Sequence, residues 1–359
     1  MPTPRVAIVY LAYNSRPYLK DVVLSVEQLN YPKERIEFII VDNASPDNSA
    51  EMIQELVLPK SGQTLPRVTF FPNQHNEGFA GGNNLGINHA LLDGVDYVYL
   101  LNNDAKFHPD ALKEAVDLAK TDSQIGSVQS LMLLWQKENT VNSSGNKVHF
   151  LGFGYTNDNG EDSRLIQTKD CEEIFYASGA AVLYRASTLR QVGVLDPYLF
   201  LYHEDLELGW RIRLAGFRNV LSKHSIVYHH YEFTRSIKKY FWMERNRLLV
   251  HLSHLKAATL VLLLPLMCLL ELFLIVLAVK GGWIKEKMLV YAELFHPNTW
   301  KYLKKKRRES VILRQVSDRE IARLFVSKIK HQETKSKLVD FGNIGLTIIW
   351  KVLRLLIRW

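Results

Sequence analysis

The residues able to do chemistry gather in five short stretches. Asp42 closes an apolar run in VDNAS. A carboxylate there can accept hydrogen bonds from a pyrimidine ring N–H or a ribose hydroxyl, and it can equally close an Asx turn or cap a helix. Asn102, Asn103 and Asp104 close a second run in LLNND. One carboxylate suffices for a hard cation that keeps its other positions for phosphate oxygens and water; a capped turn uses the same residue types. HEDLELGWR (203–211) puts Glu204, Asp205 and Glu207 at the start of a helical pattern. Adjacent carboxylates can divide the work of orienting an acceptor and taking its proton, although a helix dipole alone favours acids in its first turn. His229 and His230 in SIVYHHYEF offer a neutral imidazole, as metal ligand or as structural ring. NEGFAGGNN (76–84) fits neither GxGxxG nor a Walker loop, but its glycines would let backbone approach a ligand closely.

Such residues need a scaffold, and strand and helix signals alternate over the first 130 positions. VAIVYLAY (6–13) is a continuous apolar run, and the runs at 36–43, 68–73 and 95–104 repeat the theme. Between them, Leu19, Val22, Val23, Val26 and Leu29 recur at helical spacing. A short helix fits 47–57, and a Gly/Asn-rich turn precedes a helix near 83–92. This alternation predicts a doubly wound α/β sheet, whose ligands sit beyond the carboxyl ends of the strands. From 125 to 235 the pattern loosens into short β-like runs such as IGSVQSLMLL and AAVLYR. The polar stretch 139–170 reads as a mobile loop region.

Composition bounds the rest. With 359 residues and 47% apolar content the chain can bury a large core. Its two cysteines, Cys171 and Cys268, exclude a disulfide framework or a Cys zinc site and fit a reducing compartment. No secretory signal is visible at the start. The net charge of +8 is uneven: from Lys280 onward there are 19 Lys/Arg against seven Asp/Glu, and the first 279 residues carry 26 against 30. Ala257–Val279 is long enough to cross a bilayer, with Glu271 as its one charge and Pro265 as an expected kink. In the last turns Lys351, Arg354 and Arg358 lie opposite Leu346, Ile349, Leu353, Leu356 and Ile357, a basic amphipathic helix of the interfacial type. That apolar side favours lipid over nucleic acid, and no zinc, helix-turn-helix or aromatic-basic motif argues for a nucleic-acid partner. Arg245, Arg247 and Lys256 before the apolar segment, and Lys280, Lys285 and Lys287 after it, would keep both flanks cytoplasmic. An interfacial hairpin kinked near Pro265 and a single-pass helix both stay open, with a buried helix as the third reading.

In order along the chain, VAIVYLAYN, VDNAS, NEGFAGGNNLG, LLNND, YASGAAVLYR, FLYHEDLELGWRIRLAGFR and VYHH resemble the glycosyltransferase family 2 pattern. The likeness covers about residues 4–250 and is closest to the rhamnosyltransferase-like branch. It implies an α/β GT-A fold, a doubly wound mixed sheet with C-terminal membrane-associated helices. The catalytic domain is expected at 1–250, with a nucleotide-binding half (1–120) and an acceptor and metal half (121–250). A hydrophobic membrane segment (251–280) and a basic amphipathic tail (281–359) are expected to follow.

The resemblance also implies roles. Asp42 reads the donor base; Tyr13, Asn14, Asn43, Asn76, Gly78, Gly81, Asn83, Asn102 and Asn103 line the donor. Asp104 matches the final, metal-binding acid of an Asp-x-Asp motif whose first position is here Asn102. His229, with His230 as the alternative, reaches the Mg²⁺ or Mn²⁺ or the diphosphate. Ser178 and Gly179 lie on the acceptor side, and Asp205 is the base with Glu204 beside it. The implied reaction is an inverting displacement on a nucleotide-sugar donor, with dTDP-rhamnose the first expectation and another UDP or dTDP hexose the alternative. The acceptor is a polysaccharide or lipid-linked saccharide of the cell envelope, and the catalytic domain faces the cytoplasm at the membrane. A nucleotidyltransferase of similar architecture would carry a Gly-rich basic loop after its first strand, which LAYNSRPYL lacks.

Overall fold

Val6–Ala12 (β1) is apolar and buried at every position, as an inner parallel strand covered on both faces must be. Ile36–Asp42 (β2), Arg67–Pro72 (β3) and Tyr97–Asn102 (β4) join it in the order β3-β2-β1-β4, all parallel. Ala12 is level with Asp42, and Leu11 with Asn102. Strand order reverses at β1, so a crevice opens beyond its carboxyl end, where the polar residues of all three strands converge. The computed structural model describes residues 2–231, 237–328 and 337–359. Glu232 and Phe233 of SIVYHHYEF, and 329–336 of the basic tail, lie outside the described residues.

Leu19–Glu27 (α1) and Ser49–Leu56 (α2) fall where the periodicity puts them. Gly78–Leu92 (α3) differs: the helix already begins at Gly78, so the Gly/Asn-rich stretch is helix and not turn. Its glycines let the helix settle onto the sheet. A Cβ on Gly82 would meet Leu11 at 2.5 Å, and one on Gly86 would meet Val9 at 2.6 Å.

The second half makes the sheet mixed. Ala105–Phe107 (β5), Ala111–Thr121 (α4), Ile125–Leu134 (β6), Lys137–Ser143 (β7), Asn146–His149 (β8), Gly154–Thr156 (β9), Glu172–Ile174 (β10), Ala181–Arg185 (β11), Ala186–Val192 (α5), Glu204–Leu214 (α6) and Arg218–His229 (β12) follow in turn. β11 runs antiparallel between β4 and β6, β12 runs parallel to β6, and β5, β7 and β10 complete ten strands. The expected loop region 139–170 therefore contains strands. Its polar residues satisfy one another: Ser144 Oγ donates to Asp158 Oδ2 at 2.6 Å, and Asn157 Nδ2 to Ser144 Oγ at 3.1 Å.

The C-terminal part is helical: Ile237–His254 (α7), which passes residue 250 without a break, Ala257–Lys280 (α8), Ile284–Phe295 (α9), Pro297–Leu313 (α10), Asp318–Leu324 (α11), the short Phe325–Val326 (β13) and Lys337–Leu356 (α12). α8 continues through Pro265 as one helix, so the expected hairpin is not formed. These helices are built into the body of the protein. Trp210 of α6 packs edge-on against Phe175 and Phe325, Tyr198 stacks on Tyr302 at 4.1 Å, and β13 pairs with β8. Several basic residues expected on a surface tail turn inward. Lys287 is 0% exposed, with Nζ 2.5 Å from Glu244 and 2.7 Å from Glu271. Arg247 pairs with the same two acids, and Lys306 lies 2.8 Å from Asp196. Among the described residues α8 is the one helix long and apolar enough to cross a membrane by length and composition.

Candidate active site

One end of the crevice is built on β1, β2 and α3. Asp42 is 3% exposed; its Oδ2 accepts from the backbone N–H of Ser45, while Oδ1 is buried with no hydrogen-bond partner among the described residues. A buried carboxylate oxygen left open is costly unless a ligand completes it. Tyr13 is exposed at the mouth, and Asn14 beside it turns the chain through a left-handed φ of 54°. Asn43 is occupied internally: its Nδ2 donates to Asn76 Oδ1 and Gly78 O, and its Oδ1 accepts from Asn73 Nδ2 and Glu77 N. Asn43 and Asn76 thus pin the start of α3 to the end of β2. Gly78 (φ 71°) packs under Phe200, whose carbonyl accepts from Phe79 N at 2.8 Å. Gly81 sits one turn into α3, a Cβ there falling 2.9 Å from that of Glu77, and Asn83 donates back to Phe79 O inside the same helix.

At the end of β4 the backbone N–H of Asn102 donates to Ala180 O, and Asn103 Nδ2 donates to Tyr13 O at 2.6 Å, tying β4 to β1. Asp104 follows, and β12 brings His229 beside it, with Nε2 3.1 Å from Asp104 Oδ1. The Nδ1 of His229 lies 2.9 Å from Asn142 Oδ1. An imidazolium would satisfy both oxygens by itself; a neutral ring held through Nδ1–H by Asn142 would present Nε2 beside the Asp104 carboxylate, a donor set that a hard divalent ion fits. Among the described residues no third His, Cys, Asp or Glu joins the pair in a metal-sized group. His230 points elsewhere, into an aromatic box with Tyr18 and Trp135.

The other side of the crevice is assembled by the segment between β10 and β11 and by α6. Ser178 N donates to Gln129 Oε1, and Gly179 N donates to Asp205 Oδ2 at 3.2 Å. Asp205 Oδ1 accepts from Leu206 N at 2.7 Å. Burial pushes the Asp205 carboxyl up to about 6 against these two N–H groups, which pull it down. Glu204 is raised well above its usual range, by burial first and the charge of Asp205 second, and its Oε2 has no hydrogen-bond partner. Burial acts more strongly on Glu204 than on Asp205, so Asp205 is the member of the pair that gives up its proton first. Glu207 goes the other way: burial would raise it, but Arg211, bound through Nε at 2.9 Å, and Lys306 beyond hold it well down. It is an internal ion-pair partner and not a free base.

Two groups that position this site carry no sequence signal. Phe200, Tyr202 and His203 all have left-handed φ, between 61° and 68°. Asn246 of α7, 0% exposed, holds that segment by donating to the carbonyls of Leu199, Leu201 and Tyr202. Asn142, which orients His229, lies in the stretch whose composition reads as loop.

The sequence profile described as Glycosyl transferase family 2 matches residues 7–193. A poly-beta-1,6-N-acetyl-D-glucosamine synthase of Staphylococcus aureus is 26% identical over 206 residues, covering 57% of this chain and 45% of that protein. The Staphylococcus epidermidis protein of the same name is 25% identical over 212 residues, 59% and 46% of the two chains. The chain thus spans under half the length of these curated relatives. Among solved structures, a Pyrobaculum calidifontis mannosyltransferase in complex with GDP-Man and Mn²⁺ superposes with a TM-score of 0.51 at 15% identity, covering 87% of each chain. Staphylococcus aureus TarS in complex with UDP gives 0.50 at 14% identity, covering 98% of this chain and 90% of that one. These likenesses show an α/β GT-A-type mixed sheet. The profile covers over half of the sequence, and the chain belongs to glycosyl transferase family 2.

Proposed function

We propose that the protein transfers a hexose from a nucleoside diphosphate donor to a saccharide hydroxyl by a single inverting displacement. One observation carries the reading: Asp205, raised to about 6 beside a Glu204 that burial raises more strongly, stands on the same carboxyl edge as Asp42, with its open Oδ1, and the Asp104–His229 pair. Asp42 Oδ1 accepts from the base or ribose, and Tyr13 offers an exposed ring for stacking. Asp205 takes the proton of the attacking hydroxyl, while Ser178 and Gly179 fix the acceptor side and Glu204 keeps the pair at a single negative charge. Asp104 and His229 would hold Mg²⁺ or Mn²⁺, which when bound supplies Lewis-acid stabilisation of charge on the leaving diphosphate. The rhamnose donor suggested by the sequence resemblance has no counterpart in the staphylococcal synthases or the mannosyltransferase, which are named for N-acetylglucosamine and mannose. A hexose of that kind is therefore the leading donor. The acceptor is a polysaccharide or lipid-linked saccharide reached at the cytoplasmic face of a membrane.

The test is a donor-hydrolysis screen of the full chain against UDP-, GDP- and dTDP-sugars with Mn²⁺, Mg²⁺ or EDTA. Turnover of one donor, lost in EDTA and in Asp104→Ala, is expected. Full turnover in EDTA would exclude Asp104 and His229 as holders of a metal that the reaction needs.

A further inference from the structure

α12 is three-sided. Leu346, Trp350, Leu353 and Ile357 face the core, where Trp350 stacks on Phe150 at 4.7 Å. Ile344, Ile348, Val352 and Leu355 are exposed, Leu355 at 72%. At roughly 100° per residue these two stripes lie on opposite sides of the helix, and Lys351, Arg354 and Arg358 form a third stripe between them. Of the apolar side that the sequence pattern sets opposite the basic residues, Leu346, Leu353 and Ile357 turn to the core, and Ile349 and Leu356 stay exposed. An apolar stripe facing away from the core, rimmed by cations, is built for the boundary between acyl chains and anionic headgroups.

α8 repeats the design. Leu263, Met267, Leu274 and Ala278 are buried against the body, whereas Val261, Leu264, Leu269, Leu272 and Val276 are exposed. Its inner side is fastened along its length. Thr259 donates to Asp318 Oδ2 at 2.5 Å and accepts from Trp359 Nε1 at 2.8 Å, so the end of α12 meets the start of α8. Farther along, Glu271 binds Arg247, Lys287 and Tyr291. A helix tied sideways to a folded body cannot cross a bilayer without abandoning those partners, and it would leave Lys287 buried and short of a counter-charge.

We propose that the outer faces of α8 and α12 form a monotopic platform seated on an anionic bilayer, with α8 lying in the interface plane instead of across the membrane. The proposal rests on the membrane-associated reading of the proposed function. Charge selects this occupant: Lys351, Arg354 and Arg358 border the exposed apolar stripe of α12, and Lys280, Lys285, Lys301, Lys304 and Lys305 of the same helical part are exposed as well, a set of cations that matches anionic headgroups.

Cys268 is exposed at the middle of α8 and supplies the test. In the full chain carrying Cys171→Ser, a fluorophore on Cys268 is followed with phosphatidylcholine vesicles with and without phosphatidylglycerol. Binding should require phosphatidylglycerol, weaken with salt, and fall about fivefold for each of Lys351, Arg354 and Arg358 changed to Ala. Val352→Asp should abolish it with an unchanged melting temperature. A headgroup-level quencher should act more strongly than one at the chain ends. Stronger quenching at the chain ends, as a spanning helix would give, overturns the proposal. So does vesicle binding indifferent to phosphatidylglycerol, or a dimer in solution that Val352→Asp dissociates. Donor hydrolysis is read in parallel: its survival when vesicle binding fails refutes the platform alone, and its absence when vesicles bind in the expected way refutes the transferase reading alone.

Discussion

The carboxyl edge of the sheet and the helical body both bury charge, but they finish the arrangement differently. In the body Glu244 meets Arg247 and Lys287, Glu271 the same two, and Glu207 meets Arg211. At the sheet edge, among the described residues, Asp42 Oδ1 and Glu204 Oε2 have no hydrogen-bond partner, Asp205 is held by backbone N–H groups, and Asp104 faces an imidazole. α6 shows both behaviours within three residues, with Asp205 pushed up to about 6 and Glu207 held well down. The paired acids are finished structure. The unpaired ones keep capacity that the proposed donor, metal and acceptor would fill.

The sharpest way to break this contrast is Asp205→Asn. Loss of a general base should lower kcat by roughly 10²–10⁴-fold. A carboxyl whose folded value lies above its unfolded value costs stability as pH rises through that range, so the variant should melt higher than wild type at pH 8, not lower. The wild-type rate should climb with pH through about 6 and level off above it. A variant that melts lower and keeps its rate would make Asp205 structural.

Lys287→Met is the mirror experiment. It leaves two buried acids sharing Arg247, and chemical denaturation should show a loss of about 3–5 kcal/mol. The folded fraction should turn over donor at the wild-type rate. A marked kinetic defect in fully folded protein would join the two regions that the contrast separates.

Asn142→Ala probes the outer partner of His229. Such partners typically tune metal affinity by roughly 10–100-fold. The Mn²⁺ concentration for half-maximal turnover should rise by that factor, with rate restored at saturating metal. An unchanged Mn²⁺ requirement would leave His229 without the orientation assigned to it.

The mildest effect is acid lability of the body. Burial lowers His149 and His203 to about 4 and His251 to about 3, so they fold neutral. The unfolded chain, at about 6.5, takes up protons first, and stability is lost as pH falls from there toward the folded values. About 1 kcal/mol for each histidine should be gone by about pH 5.5. Thermal melts from about pH 7.5 to about 5 would show it, and His203→Gln should flatten the slope.

What the sequence discloses follows from the same physics. β1, β2 and β4 are legible because strands covered on both faces must be continuously apolar. α3 reads as beginning in a turn because glycine is a poor helix former, and the reason for glycine there, contact with Leu11 and Val9, exists only in three dimensions. The strands between 137 and 156 are hidden because polar strand residues such as Ser143 and Asn146 bond to each other and to Gln129, which looks the same as loop composition. Asn246 and the carbonyl of Phe200 act through backbone groups, which leave no mark on residue type. Counting charges in the tail cannot tell Lys306, turned onto Asp196, from Lys305, which is exposed.

The segment from Phe200 to His203 sets a rule for redesign. Its first carbonyl fixes the opening turn of α3, its last residue precedes the Glu204–Asp205 pair, and three of its residues hold backbone angles that cost of order 1–3 kcal/mol each. A graft that lengthens this connection would displace the start of α3 and the Glu204–Asp205 pair together. The connection between β9 and β10, residues 157–171, supplies no hydrogen bond to Asp42, Asp104 or Asp205 among the described residues. Insertions are better placed there, with 200–203 copied unchanged.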